Sequence, residues 1–283
     1  MENSKVTLPD IQRAKDSGRK ITMLTAYDYP FAQLADLAGV DMILVGDSLG
    51  MVVLGLEGTV AVTMEDMIHH IKAAVRGCQR ALVVGDMPFM SYNTSIRDAI
   101  VNAGRLIKEG GCEAVKLEGG VQFAPTVKAI VRAGIPVQGH IGLTPQTASS
   151  LGGFKTQGRD LAGATQLVND AQSLENAGAF SIILEAVPAP VGELIAETLK
   201  IPVIGIGAGP KVDGQVLVTH DLLGLFDKFV PKFVKPYAQI RTIILDALKE
   251  YKQDVIDGSF PAPENCFNMS LELVSSLRDS LGK

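Results

Sequence analysis

Four acidic residues stand out because each closes an apolar run beside a glycine or another small residue. They are Asp47 in Ile43-Leu44-Val45-Gly46-Asp47-Ser48, Asp86 in Leu82-Val83-Val84-Gly85-Asp86, Glu118 in Ala114-Val115-Lys116-Leu117-Glu118-Gly119-Gly120, and Glu185 in Ile182-Ile183-Leu184-Glu185-Ala186. An acid placed there loses water, which is costly unless something cationic meets it. Four such acids at equivalent strand ends point to one shared metal and acid–base site. Asp and Glu with little His or Cys select a hard, oxygen-loving cation, so Mg2+ is favoured over Zn2+. The competing explanation is helix capping, which suits Asp but fits Glu118 and Glu185 poorly. Lys116 lies two residues before Glu118, so both side chains share one face of a strand. A buried lysine there can stabilise an enolate or a substrate carboxylate, or form a Schiff base. A plain interior ion pair is the simpler alternative.

These residues need a frame that gathers strand ends. Short apolar runs at 21–27, 42–47, 81–86, 114–118, 135–139, 181–185, 203–206 and 216–219 read as buried parallel strands. Amphipathic stretches at 30–38, 64–76, 95–109, 121–133, 160–177 and 190–199 alternate with them. Repeated βα units argue for a parallel sheet. Eight of them at this length predict an α/β fold of the (β/α)8 (TIM) barrel type, with a doubly wound open sheet as runner-up. Residues at the carboxyl ends of barrel strands converge on one mouth, and Asp28, Asp47, Ser48, Asp86, Lys116, Glu118, His140 and Glu185 all fall there. Gly205-Ile206-Gly207-Ala208-Gly209-Pro210, after the seventh strand, reads equally as a phosphate cradle or a close-packed turn. No histidine has a Cys or second His at zinc-ligand spacing.

One domain over residues 1–283 is expected, with 234–283 as a C-terminal helical extension (helices over 234–254 and 265–281) that packs on the barrel or forms an oligomer interface. The net charge of −5 gives no basic footprint, which speaks against nucleic acid. Residues 1–20 are polar and charged, without an apolar signal region, and no apolar run is long enough to span a membrane. Cys78, Cys112 and Cys266 are widely spaced and odd in number, which fits a reducing cytoplasm.

Five motifs, taken together and in order, carry a resemblance. Val45-Gly46-Asp47-Ser48-Leu49-Gly50, Gly85-Asp86-Met87-Pro88-Phe89, Val115-Lys116-Leu117-Glu118-Gly119-Gly120, Gly139-His140-Ile141-Gly142-Leu143-Thr144-Pro145-Gln146 and Ile204-Gly205-Ile206-Gly207-Ala208-Gly209 stand as in the ketopantoate hydroxymethyltransferase family. The chain resembles that family from about Thr22 to the final helices. The resemblance implies transfer of a hydroxymethyl group from 5,10-methylenetetrahydrofolate to 3-methyl-2-oxobutanoate through a Mg2+-stabilised enolate, a step in pantothenate biosynthesis. It implies that Asp47 and Asp86 hold Mg2+, with Glu118 as a third metal-site acid reached directly or through water. Asp47, Ser48, Asp86 and Lys116 would bind the oxo acid, and Glu185 would be the general base. It also implies a homo-oligomer, commonly a decamer. The alternative is another Mg2+-dependent C–C lyase or ligase of the phosphoenolpyruvate/pyruvate barrel class. A Schiff-base aldolase using Lys116 and a non-catalytic ligand-binding barrel are further from the residues.

Overall fold

A strand buried on both faces must find apolar partners on each side, and the β runs of this chain do so by closing on themselves. The computed structural model describes residues 4–150, 152–227 and 230–282. Its strands are β1 (Ile21–Thr25), β2 (Met42–Val45), β3 (Leu82–Asp86), β4 (Ala114–Glu118), β5 (Val137–Gly142), β6 (Ser181–Glu185), β7 (Val203–Ile206) and β8 (Gly214–Leu217). They pair in parallel and in sequence order, and β8 returns to β1, so the barrel expected from the sequence is present. The helices are α1 (Leu8–Asp16), α2 (Tyr29–Leu37), α3 (Leu49–Val52), α4 (Met64–Gly77), α5 (Ile96–Arg105), α6 (Ala124–Arg132), α7 (Leu161–Asn176), α8 (Ala189–Thr198), α9 (Thr219–Leu222), α10 (Ile240–Asp257) and α11 (Leu271–Ser280).

Alternation along each strand divides the core in two. Met42 and Leu44, Leu82 and Val84, Ile183, Ile204 and Val216 fill the barrel interior, whereas Ile43, Val45, Val83, Val115 and Leu117 face the surrounding helices. Ile11 and Ala14 of α1 join the interior cluster beside Ile21 and Met23. The first twenty residues are therefore not all surface: Leu8, Ile11 and Ala14 form an apolar stripe, started by Thr7, whose backbone N–H donates to Asp10 Oδ2 (2.8 Å). Residues 1–3 of that stretch lie outside the described residues.

Two strands sit off their expected positions. β5 starts only after Pro136, which lacks an N–H for the ladder, and runs through Gly142, so His140 lies within the strand. β8 begins at Gly214 because that glycine packs where a Cβ would meet the Ile21 carbonyl oxygen at 2.5 Å, a closeness that hides it from an apolar pattern. The chain divides into two compact units, one up to Pro236 and one from Tyr237 onward. Within the second, α10 ends at Gly258 in a left-handed conformation, and Tyr251 meets Phe260 edge-on.

Candidate active site

The register of the sheet assembles the charged residues. Asp86 pairs with Lys116 across β3 and β4, Glu118 with His140 across β4 and β5, and Gly142 with Glu185 across β5 and β6. Their interior-facing side chains, with Asp47 and Ser48 just past β2, line one cavity of about 400 Å³ at the carboxyl ends of the strands. Asp47, Asp86, Lys116, Glu118 and His140 are between 1% and 4% exposed.

Lys116 Nζ donates to both oxygens of Asp86 at 2.7 Å and lies 3.8 Å from Glu118 Oε1. The Asp47 backbone N–H donates to Asp86 Oδ2 (3.1 Å), tying the β2 end to the β3 end. Burial and the neighbouring Asp86 charge push the Asp47 carboxyl well above the ordinary carboxylate range. Burial also raises Asp86, which Lys116 only partly offsets. Burial opposes the Lys116 ammonium too, but the charges of Asp86, Glu118 and Asp47 hold its pKa above the usual lysine value. His140 places Nε2 3.2 Å from Glu185 Oε2 and Nδ1 3.4 Å from Glu118 Oε1. Burial and Lys116 act against an imidazolium there, yet the two carboxylates prevail and raise its pKa to about 9. Glu118, which burial alone would raise, is held below its ordinary value chiefly by His140 and Lys116.

A neutral network supports these charges. Gln146 donates through Nε2 to Asp47 Oδ2 (2.8 Å) and to the Met87 carbonyl (3.0 Å), and its backbone N–H donates to Glu118 Oε2 (3.0 Å). Tyr92 donates its hydroxyl to Gln146 Oε1 (2.6 Å) and accepts from the Glu118 backbone N–H (3.2 Å). Ser48 Oγ sits 2.8 Å from the Tyr27 hydroxyl. Gln146, Tyr92 and Tyr27 were not among the residues singled out by type and spacing. Gln146 lies inside one of the five ordered motifs, and that was the one signal available for it.

Other expectations change. Asp28 is not in the cavity lining; it caps α2, accepting from the Phe31 N–H (2.8 Å). The glycine run after β7 is a packed turn: a Cβ on Gly207 (φ +68°) would meet Phe233 at 2.6 Å, and one on Gly209 (φ +85°) would meet Ala189 at 2.5 Å. Ala186, directly after Glu185, holds a positive φ of 49°, with its N–H donating to the Ile206 carbonyl (2.8 Å) and its carbonyl accepting from the Gln157 N–H (3.0 Å).

Asp47, Asp86 and Glu118 do not close as one three-acid ligand set; no group of three or more His, Cys, Asp or Glu able to hold a metal occurs among the described residues. Asp86 is turned to Lys116, and Glu118 is held by Gln146 and His140. Asp47 and Asp86 nonetheless fit a small divalent cation. They are hard oxygen donors, buried together, with more negative charge than one lysine answers. Mg2+ commonly takes one or two carboxylates and completes its shell with water and substrate oxygens.

Fold and mouth together define a (β/α)8-barrel enzyme with acid–base groups gathered at the carboxyl ends of its strands. The sequence pattern of ketopantoate hydroxymethyltransferase matches residues 5–263, and the chain belongs to that family. It is 59% identical over 269 residues to a 3-methyl-2-oxobutanoate hydroxymethyltransferase of Heliobacterium modesticaldum, covering 95% of this chain and 98% of the relative. To the protein of the same name from Moorella thermoacetica it is 60% identical over 266 residues, covering 94% and 99%. Among solved structures, a phosphonopyruvate hydrolase matches with a TM-score of 0.62 at 14% identity, covering 98% of this chain and 96% of the other, a likeness of fold alone.

Proposed function

We propose that the protein transfers a hydroxymethyl group from 5,10-methylenetetrahydrofolate to 3-methyl-2-oxobutanoate, giving ketopantoate. The observation that carries this reading is the buried charge of the mouth, where four acids, Asp47, Asp86, Glu118 and Glu185, meet two cationic groups, Lys116 and His140, in a chain of this family. Asp47 and Asp86 would hold Mg2+, with Glu118 reaching it through water; the bound ion supplies Lewis-acid polarisation of the 2-oxo group.

The chain's own residues supply the rest. Ser48, fixed by Tyr27, offers a hydroxyl to the substrate carboxylate. Lys116 places a permanent positive charge where negative charge develops on the substrate oxygen. Glu185, whose side chain is 15% exposed at the cavity wall, takes the C3 proton as general base, and His140 at 3.2 Å fixes its carboxylate. Water releases the methylene unit from tetrahydrofolate as formaldehyde, the carbon nucleophile attacks its carbonyl carbon, and the resulting alkoxide takes the proton that Glu185 removed. The competing lyase reading keeps the metal acids but needs no tetrahydrofolate.

We further propose a cytoplasmic homo-oligomer, commonly a decamer in the resemblance. Support comes from exposed apolar side chains such as Leu34, Leu37, Ile243 and Leu248, and from cysteines that are all free. No helix among the described residues is long and apolar enough to cross a membrane.

The test is proton–deuterium exchange at C3 of 3-methyl-2-oxobutanoate, followed by NMR with and without Mg2+. Wild type should exchange only with Mg2+, and Glu185→Gln should lose about 10²- to 10⁴-fold. Absence of exchange in folded, Mg2+-binding wild type would sink the substrate assignment.

A further inference from the structure

The barrel order puts β7 and β8 across the mouth from β3 and β4, and the lining changes character accordingly. Ile206, Leu217, Val218, Phe226, Pro231 and Phe233 make that side of the cavity mostly apolar, and Asp221 and Lys232 are the charged residues among them. Asp221 belongs to α9, the short helix pinned to the end of β1 by Thr219, whose backbone N–H donates to Thr25 Oγ1 (3.0 Å).

Asp221 is only 8% exposed, yet its Oδ1 has no hydrogen-bond partner among the described residues. Among the described residues no ion pair reaches it either, and burial raises its pKa to about 6. Each of the other acids of this mouth has a cation, an amide or an imidazole against it. A buried carboxylate oxygen without a partner costs stability, so one on a residue that lines a cavity is explained best by a ligand that completes it. Asp221 is a poor candidate for a metal site, because among the described residues it belongs to no group of three or more His, Cys, Asp or Glu able to hold one.

The walls and the carboxylate together specify a ligand. Apolar walls with aromatic members accept a flat ring system. A carboxylate accepts two parallel hydrogen bonds best from an N–H and an NH2 on one carbon, the geometry that makes guanidinium its preferred partner. The reduced pterin ring of 5,10-methylenetetrahydrofolate carries such an edge, its N3–H beside the 2-amino group. The oxo acid has no N–H at all.

We propose that Asp221 reads the N3–H and 2-amino edge of the one-carbon carrier, with Phe226, Pro231 and Phe233 enclosing the ring, so that carrier and oxo acid enter opposite halves of one mouth. This inference rests on the reading of the chain as a tetrahydrofolate-dependent transferase.

The first test needs no variant. Tetrahydrofolate and its 2-desamino analogue are titrated into the wild-type protein by calorimetry. Tetrahydrofolate should bind about 10- to 100-fold more tightly, the range of hydrogen bonds to a charged acceptor. The same pair is then titrated into Asp221→Asn and Asp221→Ala, where the preference should collapse to near unity. In turnover, the KM for methylenetetrahydrofolate should rise by the same factor, while the KM for 3-methyl-2-oxobutanoate should not follow it. Equal wild-type affinity for the two ligands overturns the assignment, as does a preference that survives in folded Asp221→Ala. A wild-type protein that exchanges C3 deuterium and turns over, yet shows equal affinities, overturns Asp221 alone. One that neither exchanges nor binds tetrahydrofolate overturns the functional reading with it.

Discussion

The two halves of the mouth solve opposite problems. On the β2–β6 side, buried opposite charges crowd together and offset one another: Lys116 bonds Asp86 and approaches Glu118, and His140 lies between Glu118 and Glu185. On the β7–β8 side Asp221 keeps an oxygen without a hydrogen-bond partner among mostly apolar walls. The first half is preorganised, with its dipoles and charges in place before substrate arrives. The second holds its cost in reserve until a ligand pays it back. A single cavity can thus treat a small anion and a flat heterocycle by different physics.

The contrast can be broken most severely at Lys116. Lys116→Met leaves Asp86 buried without its cation, and metal-free protein should lose about 3–5 kcal/mol of unfolding free energy in urea titrations. A smaller effect should come from the ion. Mg2+ at a hundredfold excess over its Kd should stabilise wild type by about 2.7 kcal/mol, and Asp86→Asn should erase most of that gain in thermal melts. On the apolar side, Gly207→Ala forces a Cβ toward Phe233 at a positive φ. It should cost about 1–2 kcal/mol and raise the carrier KM more than the oxo-acid KM.

The smallest effect runs the other way. Burial moves the Asp221 pKa from 3.8 to about 6, so between those values the folded chain keeps a proton the unfolded chain has lost. Stability therefore falls as pH rises through that window and stays lower above it. Asp221→Asn should be more stable than wild type at pH 8, by on the order of 1 kcal/mol once solvent screening near the mouth is allowed for. The gain should shrink as pH falls from 6 toward 4, which melting curves across that range would read.

The ionic half was readable in the sequence because charge interrupts apolar runs, and a parallel barrel turns that interruption into a position in space. Asp47, Asp86, Lys116, Glu118 and Glu185 all reach the cavity for that reason. Asp28 had the same residue type at the same kind of strand end, yet it caps α2, since an N-cap and a site acid look alike until the side chain is placed. Gln146 and Tyr92 were illegible because a neutral polar side chain is buried only when distant partners satisfy it, and those partners lie on other loops. Asp221 stands two residues past the apolar run at 216–219 rather than at its end, so only the turn into α9 brings it to the cavity. The glycine run after β7 resolves as a packed turn only through the atoms that a Cβ would strike.

Ala186 places a constraint on anyone seeking a hardier version of this enzyme. Its left-handed backbone costs an L-residue about 1–2 kcal/mol, and glycine would adopt it freely, so a stability screen would favour the exchange. The same residue sets the direction in which the chain leaves Glu185, clamped by Ile206 on one side and Gln157 on the other. A glycine there would let the last residue of β6 wander, and the Glu185 carboxylate with it. Selection for robustness and selection for turnover should therefore pull this one position in opposite directions.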